Sequence, residues 1–527
     1  MSTKISKYIE VVSQKLGNDV AYLLILSVTI FALYSASLST MYLFADEVNA
    51  FSAGAVERGV GDGFLALGRI FGRPITGIAY SLIADAIVFG EYGLQGLRIL
   101  QFVLSLLAAF YVFFVMRALG IKPVHALLLT IFLWSQPAVA IYHIYFRLAP
   151  YWLGVFCSLL AFSIFLLRNQ KPFDWRESIT YVVLFSIGLL TYQMTPFFFL
   201  GFLAFDILND RDDRCIARHA KLFLVFLGTV AFYTVAFKIT SELYGFGNYF
   251  KAQQLLKSTD ISQFFSSSYL FVFEFWNYLI PVEISKETKS NLIAITAVGW
   301  VLLIAMAVVA DLRQKKNSLR CWALALACTG ASFLPIIADS ASGRQHLFLA
   351  ALPALLLTAY YAGTRLVPKH WVGWAKPILI ACLSLIVAGG SLGYQRALVG
   401  PAARLFDFVQ IEAVNQMHPG VKRVLVIRPS VGEMRFVCRY EPCTRFYGRR
   451  MALHWHLGRY ALYQTALRLA GLPPRLPVKF VARDKAFQPD AITIDLYRYL
   501  RFEKQLASAR VRAVDRGHKQ TPQINAR

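Results

Sequence analysis

Two adjacent carboxylates, Asp46 and Glu47, directly follow the first long apolar run of the chain, Ala21–Phe44. A carboxylate at a membrane rim is costly to place beside hydrocarbon. Apolar surface raises its pKa, and a neighbouring cation lowers it. Such a group can take the proton of an acceptor hydroxyl or ligate a divalent cation. An ordinary polar helix end is the plainer alternative.

Candidate anion ligands lie further along. Arg69 and Arg73 sit in the stretch LGRIFGRP. Arg suits bidentate phosphate recognition. Interfacial snorkelling fits Arg69 better, whereas Gly72-Arg73-Pro74 favours a positioned side chain. The run Tyr142-His143-Ile144-Tyr145-Phe146-Arg147 reads either as an interfacial girdle or as a cation for a lipid phosphate with aromatics for a sugar. Tyr192-Gln193 falls where two short apolar runs meet, Ser178–Tyr192 and Thr195–Ile207, with Pro196 just beyond. These runs form a hairpin that only just spans, with a polar tip that can line a cavity. Arg344 and His346, after Asp339, open a late helix. Cations at a helix start oppose the dipole, which points to a phosphate ligand. His454-Trp455-His456 lacks a third metal ligand. The chain has no Walker A loop, no GxGxxG after a strand, no CxxC pair and no Ser/His/Asp set. A nucleotide-driven transporter and a soluble-cofactor oxidoreductase therefore have no support.

The elements that carry these residues follow from composition. Of 527 residues, 57% are apolar and 16% charged, with mean hydropathy +0.51. Soluble domains carry about 25% charged residues and roughly 45–50% apolar ones. The chain reads as a polytopic membrane protein. Its net charge of +24 suits anionic lipids or phosphates. Residues 1–393 hold 30 Lys/Arg and 21 Asp/Glu; residues 394–527 hold 24 and 9, and no run long enough to span. A membrane domain, 1–393, thus precedes a basic soluble domain, 394–527.

The first apolar run exceeds the roughly 7–15 residues of a signal peptide and reads as a retained helix. Ten more candidate spans follow, at about 98–116, 123–141, 150–167, 178–192, 195–208, 221–238, 291–310, 321–338, 346–363 and 376–393. The stretch Pro74–Phe89 contains Asp85 and reads as a surface helix. With eleven spans the inner segments hold 19 Lys/Arg and the outer ones before the tail hold 11, as positive-inside topology requires. A cytoplasmic N-terminus and an extracytoplasmic tail follow, which argues against nucleic acid as the tail's partner. The first outer loop is 45–97; the large outer loop, 239–290, is long enough to cap a substrate. In the tail, Arg404–Gln416 and Leu453–Leu472 read as helices, and Arg423–Ile427 and Val478–Val481 as strands of a small α/β module. Seven Cys make no disulfide scaffold. Cys438 and Cys443, in CRYEPC, pair in an oxidising compartment or remain thiols.

Three stretches carry a family resemblance: Asp46-Glu47 opening the first outer loop, the run from GRPITGIAYSLIADAIVFGEYGLQGLRIL to MRALGIKP, and the hairpin TYQMTPFFFLGF. Together they resemble the GT-C class of membrane glycosyltransferases that use polyprenyl-phosphate sugars. The set DE, GR and YQ is most similar to the serotype-converting O-antigen glucosyltransferases. The resemblance covers roughly residues 20–365. It implies an all-α GT-C-like domain in a bacterial inner membrane and inverting transfer of a hexose from undecaprenyl phosphate to a glycan or glycolipid acceptor. It implies Asp46 as general base and Glu47 as its helper toward the acceptor or a divalent cation. Arg73, Arg147, Arg344 and His346 would hold the donor phosphate; Tyr142, His143, Tyr192 and Gln193 would line the sugar pocket. No nucleotide cofactor is implied. A pentose-type transferase such as one for aminoarabinose, a glycan polymerase and a flippase of lipid-linked glycans are the alternatives.

Overall fold

The computed structural model describes residues 19–35, 38, 73–79, 81, 93–136, 139, 150–168, 173–209, 213–243, 286–314, 319–335, 349–366, 375–427, 476–481, 488–499 and 501. These are predominantly helical. The helices are α1 (Asp19–Ser35), a short helix at 74–79, α2 (Gly93–Ala118), α3 (Pro123–Trp134), α4 (Tyr151–Leu167), α5 (Trp175–Thr191), a 3₁₀ turn (Thr195–Phe199), α6 (Leu200–Asn209), α7 (Asp213–Leu243), α8 (Lys286–Arg313), α9 (Leu319–Ala331), α10 (Leu352–Leu366) and α11 (Ala375–Asn415). Packing divides the chain into two compact units between Gly393 and Tyr394, inside α11.

Local chemistry explains where the helices start and stop. The carboxylate of Asp174 accepts the Glu177 N–H at 2.7 Å and caps α5. Gly120, at φ +81°, turns the chain out of α2, and Pro123 opens α3 at a position where its missing N–H costs nothing. The expected span 123–141 runs beyond α3, which ends at Trp134 with Ser135 as its cap; Pro137 disfavours helical backbone in the residue before it. The expected span 376–393 and helix 404–416 are instead one helix, α11. Among the described residues, two helices are both long and apolar enough to cross a membrane alone, Gln95–Ala118 and Ile216–Thr240. Most of the other spans read from hydropathy correspond to shorter apolar helices.

In the first unit, buried charge collects at one end of the bundle. Arg117, at the end of α2, meets Asp19 at the start of α1 at 3.5 Å. Asn209 donates to the Leu119 carbonyl at 3.2 Å. Asp206, near the end of α6, meets His219 on α7 at 2.9 Å. The next residue, Arg218, pairs with Glu177 at the start of α5, and the Tyr181 hydroxyl donates to the same carboxylate. Asp311, near the end of α8, accepts from Tyr361 (2.8 Å) and Trp322 (3.2 Å) and is ion-paired at 3.2 Å with Arg365, whose Nε donates to the Tyr361 hydroxyl. Phe205 and Tyr361, with ring centroids 6.3 Å apart, link the two groups. Glu177 and Asp311 are fully buried, and such charges persist only when paired.

The second unit contains a three-stranded parallel sheet in the order β2-β1-β3: β1 is Arg423–Ile427, β2 Val478–Val481 and β3 Ala491–Asp495. Val424 aligns with Val478 on one side and Ile492 on the other. Both strands read from the sequence lie at their expected limits; β3 was not expected. Val424, Leu425, Val426 and Ile427 are all buried, as the central strand of a parallel sheet requires. Leu405, Val409 and Ala413, one helical turn apart on α11, are buried in the same unit. The free edge of β3 meets the Gln416 amide. Its Nε2 donates to the Thr493 carbonyl and its Oε1 accepts the Thr493 N–H, both at 2.8 Å. The amide stands where another strand's backbone would.

Glu177→Ala is expected to destabilise the protein by about 3–5 kcal/mol, because it leaves Arg218 buried without this carboxylate; thermal unfolding in detergent measures the loss. Arg423, whose Nε lies 3.2 Å from Asp490, holds that carboxyl below the usual carboxylate range. A lowered folded pKa stabilises above the unfolded pKa of about 4 and ceases to do so as pH falls through the folded value. The protection of β1 and β3 amides, taken relative to intrinsic exchange at each pH, is therefore expected to fall below about pH 4, and less steeply in Asp490→Asn.

Candidate functional site

The site begins with a hairpin. Helix α5 stops at Thr191, Tyr192 turns extended, and Gln193–Met194 lead into the 3₁₀ turn, with Pro196 in its first positions. The hairpin can seat only where neighbours lack side chains. A Cβ on Gly154 of α4 would stand 2.0 Å from the Thr195 Oγ1. A Cβ on Gly188 of α5 would stand 2.8 Å from the Pro196 Cγ, and one on Gly201 of α6 2.3 Å from the Ala354 backbone N. The Thr195 hydroxyl donates back to the Tyr192 carbonyl at 2.9 Å. Phe197, Phe198 and Phe199 are buried beneath, with Phe197 and Phe199 packed against Phe226. The polar tip thus rests on a dense aromatic floor.

Arg73 reaches this tip. The short helix 74–79 is tied to the end of α5 by the Thr76 hydroxyl, which donates to the Thr191 carbonyl at 2.6 Å. One residue earlier than Pro74, the Arg73 Nε donates to the Gln193 Oε1 at 2.9 Å and an Nη donates to the Tyr151 hydroxyl at 2.8 Å. The guanidinium carbon lies 4.3 Å from the Tyr192 ring centre and 5.6 Å from that of Tyr151. The two rings stack at 3.9 Å, 6° from parallel. Gln193 then donates from Nε2 to the Tyr233 hydroxyl of α7 at 2.9 Å. The amide orientation follows from chemistry, since Arg offers only donors. Tyr192 is buried, while Arg73 and Gln193 are half-buried. An amide, a phenol and two ring faces are neutral, so these groups do not offset the guanidinium charge.

Position within the bundle separates this cluster from the ion pairs. Tyr233 is 15 residues from Arg218 on α7, about 22 Å along the axis, and Thr191 is a similar distance from Glu177 on α5. One end of the bundle is closed by paired charges. The other presents a cation among tyrosines, which is chemistry for an anionic group joined to a ring that can stack.

Of the residues expected from the sequence, Arg73, Tyr192 and Gln193 come together here. Asp46, Glu47, Tyr142, His143, Arg147, Arg344 and His346 lie outside the described residues, as do Cys438, Cys443, His454, His456 and the helix expected at Leu453–Leu472. Two partners were not expected. Tyr151 opens α4 directly after Pro150, and Tyr233 places a hydroxyl inside an apolar helix; both are polar-tipped aromatics in apolar runs, and that was their signal. Among the described residues, no group of three or more His, Cys, Asp or Glu could hold a metal ion. No protein family, curated protein or solved structure matches this chain.

Gly154→Ala is expected to cost about 1–3 kcal/mol by overpacking against Thr195. Thr195→Ala in the same chain removes the Oγ1 contact and should recover part of that loss, read from thermal unfolding of the single and double variants.

Proposed function

We propose that this chain is a polytopic membrane glycosyltransferase with about eleven spans in a GT-C-like arrangement and an extracytoplasmic α/β domain. It moves a hexose from undecaprenyl phosphate to a glycan or glycolipid at the outer face of a bacterial inner membrane. The observation that carries this reading is the Arg73 cluster. A guanidinium is held by Gln193 and Tyr151 over the faces of two stacked tyrosines. It sits at the end of the helices opposite the buried ion pairs.

In the reaction the acceptor hydroxyl oxygen attacks the anomeric carbon. The bond from that carbon to the phosphate oxygen breaks, and the phosphate leaves with the electron pair. Configuration inverts because there is one displacement. Asp46 takes the hydroxyl proton, and Glu47 orients the acceptor or a divalent cation. Arg73, with Arg147, Arg344 and His346, stabilises the charge that grows on the leaving phosphate. Tyr192 and Gln193, with Tyr142 and His143, face the sugar. The serotype-converting glucosyltransferases are the nearest likeness in chemistry, with O-antigen or lipopolysaccharide as acceptor.

Mass spectrometry of envelope glycans tests the proposal in cells carrying the wild-type chain, Arg73→Gln, Asp46→Asn or no copy. A hexose-sized increment with wild type, reduced roughly 10²–10³-fold in Arg73→Gln, is expected. An increment unchanged by Arg73→Gln would remove the phosphate role. No increment, with a change only in the lipid-linked sugar reaching the outer leaflet, would replace transfer by transport.

A further inference from the structure

The end of the bundle that is closed by ion pairs has an outer surface of a different character. Its described carboxylates are all engaged. Asp19, Glu177, Asp206 and Asp311 pair with cations, and Asp174 caps α5. The cations beside them are not. Lys122, Arg176, Lys221, Arg313 and Arg320 are exposed, and among the described residues none of them has an ion partner. Negative charge at this end is thus drawn inward and neutralised, while positive charge is left facing out.

Contacts within the bundle set these cations at one level. Arg176 adjoins Glu177, and Lys221 lies three residues beyond Arg218, which pairs with Glu177. Arg313 is two residues past Asp311, and Arg320 is two before Trp322, whose indole donates to Asp311. Lys122 is three residues past Leu119, whose carbonyl takes the amide of Asn209, one turn from Asp206. Apolar side chains follow directly toward the middle of the bundle. Ile179 on α5 and Leu224 on α7 are exposed one turn inward of Arg176 and Lys221, on the same helix faces. Val124 and Leu312 are exposed inward of Lys122 and Arg313. Trp175, which opens α5, is 66% exposed, and the Arg176 guanidinium lies 5.4 Å from its ring centre. An amphipathic ring placed between cations and an apolar band suits the headgroup level of a bilayer. A soluble polyanion would meet the cations and leave the apolar band bare.

We infer that this end of the bundle is a docking surface for anionic phospholipid, with Lys122, Arg176, Lys221, Arg313 and Arg320 on the headgroup phosphates and Trp175 at the edge of the hydrocarbon. The assignment rests on the membrane-spanning arrangement in the proposed function and not on the transfer reaction. Each cation near an anionic leaflet adds to the attraction, and salt screens it. The cations belong to different helices. A layer of headgroups therefore ties from outside the same helix ends that the ion pairs tie from within, and anionic lipid stabilises the fold.

The test is lipid retention by the purified full chain in detergent micelles holding equal amounts of phosphatidylglycerol and phosphatidylcholine. Mass spectrometry reads the lipid that stays bound, and unfolding temperature is taken in each lipid alone. The wild-type chain is expected to retain phosphatidylglycerol in roughly tenfold excess, to lose most of that excess at high salt, and to unfold at a higher temperature in phosphatidylglycerol. Lys122→Gln, Arg176→Gln, Lys221→Gln and Arg320→Gln, combined in one chain, are expected to abolish the excess. Lys122→Arg, Arg176→Lys, Lys221→Arg and Arg320→Lys, likewise combined, keep the charge and are expected to keep the excess. The four side chains are exposed, so their replacement strands no buried charge. If the combined Gln variant does not fold, Arg176→Gln with Lys221→Gln, and Lys122→Gln with Arg320→Gln, are read in the same way. Equal retention of the two lipids by the wild-type chain, an excess that high salt leaves unchanged, or an excess kept by the Gln variants overturns this inference alone. A wild-type chain that alkaline carbonate washes from membranes overturns it together with the functional proposal.

Discussion

Close approach at two glycines governs the first unit. Gly154 and Gly188 lie on neighbouring helices, and the hairpin tip enters between them because neither carries a Cβ. Once Thr195 and Pro196 are seated, Tyr192 is forced flat against Tyr151 and Gln193 is directed toward Tyr233. Arg73 then has one place to bond, since its acceptors are already fixed. The aromatic floor of Phe197, Phe198 and Phe199 stiffens this arrangement, because interiors packed like crystals transmit displacement rather than absorb it.

The distribution of polar groups separates two tasks. At one end, carboxylates and cations from many helix termini neutralise one another in a low-dielectric interior. Such pairs add little net stability over apolar packing, but each specifies which helix ends may meet. At the other end, tyrosines and an amide position a cation without cancelling its charge. The first arrangement sets the order of the bundle; the second fixes the position of one guanidinium against two ring faces.

Much of the frame was legible. Long apolar runs with cations at alternate turns located most of the helices of the first unit, and short apolar runs of four or five residues located β1 and β2. The third strand, AITID, was overlooked although Ile492 and Ile494 alternate with polar positions; five residues near a Pro-Asp turn give too short a period to stand out. Helix ends were misplaced where a proline further on decided them, as at Pro137. In the site, Arg73, Tyr192 and Gln193 were legible as polar groups at apolar ends. Tyr151 and Tyr233 were not, because their roles come from helices 40 and more residues away meeting the tip. The glycines that allow this contact have no local signature, since what makes them necessary is the neighbour they admit.

Gly201 brings time into the structure. Helix α6 is ten residues long, and its first turn fits against the backbone of Pro353 and Ala354, 152 residues later in the chain. At roughly 5–20 residues per second of synthesis, the surface that receives it appears about 8–30 s after α6 itself. In that interval the short helix has the turn before it, Phe162 of α4, the Leu119 carbonyl that Asn209 bonds, α7 and, once made, α9. The protein therefore completes the packing of α6 late in biosynthesis, when the tenth helix arrives and closes against Gly201.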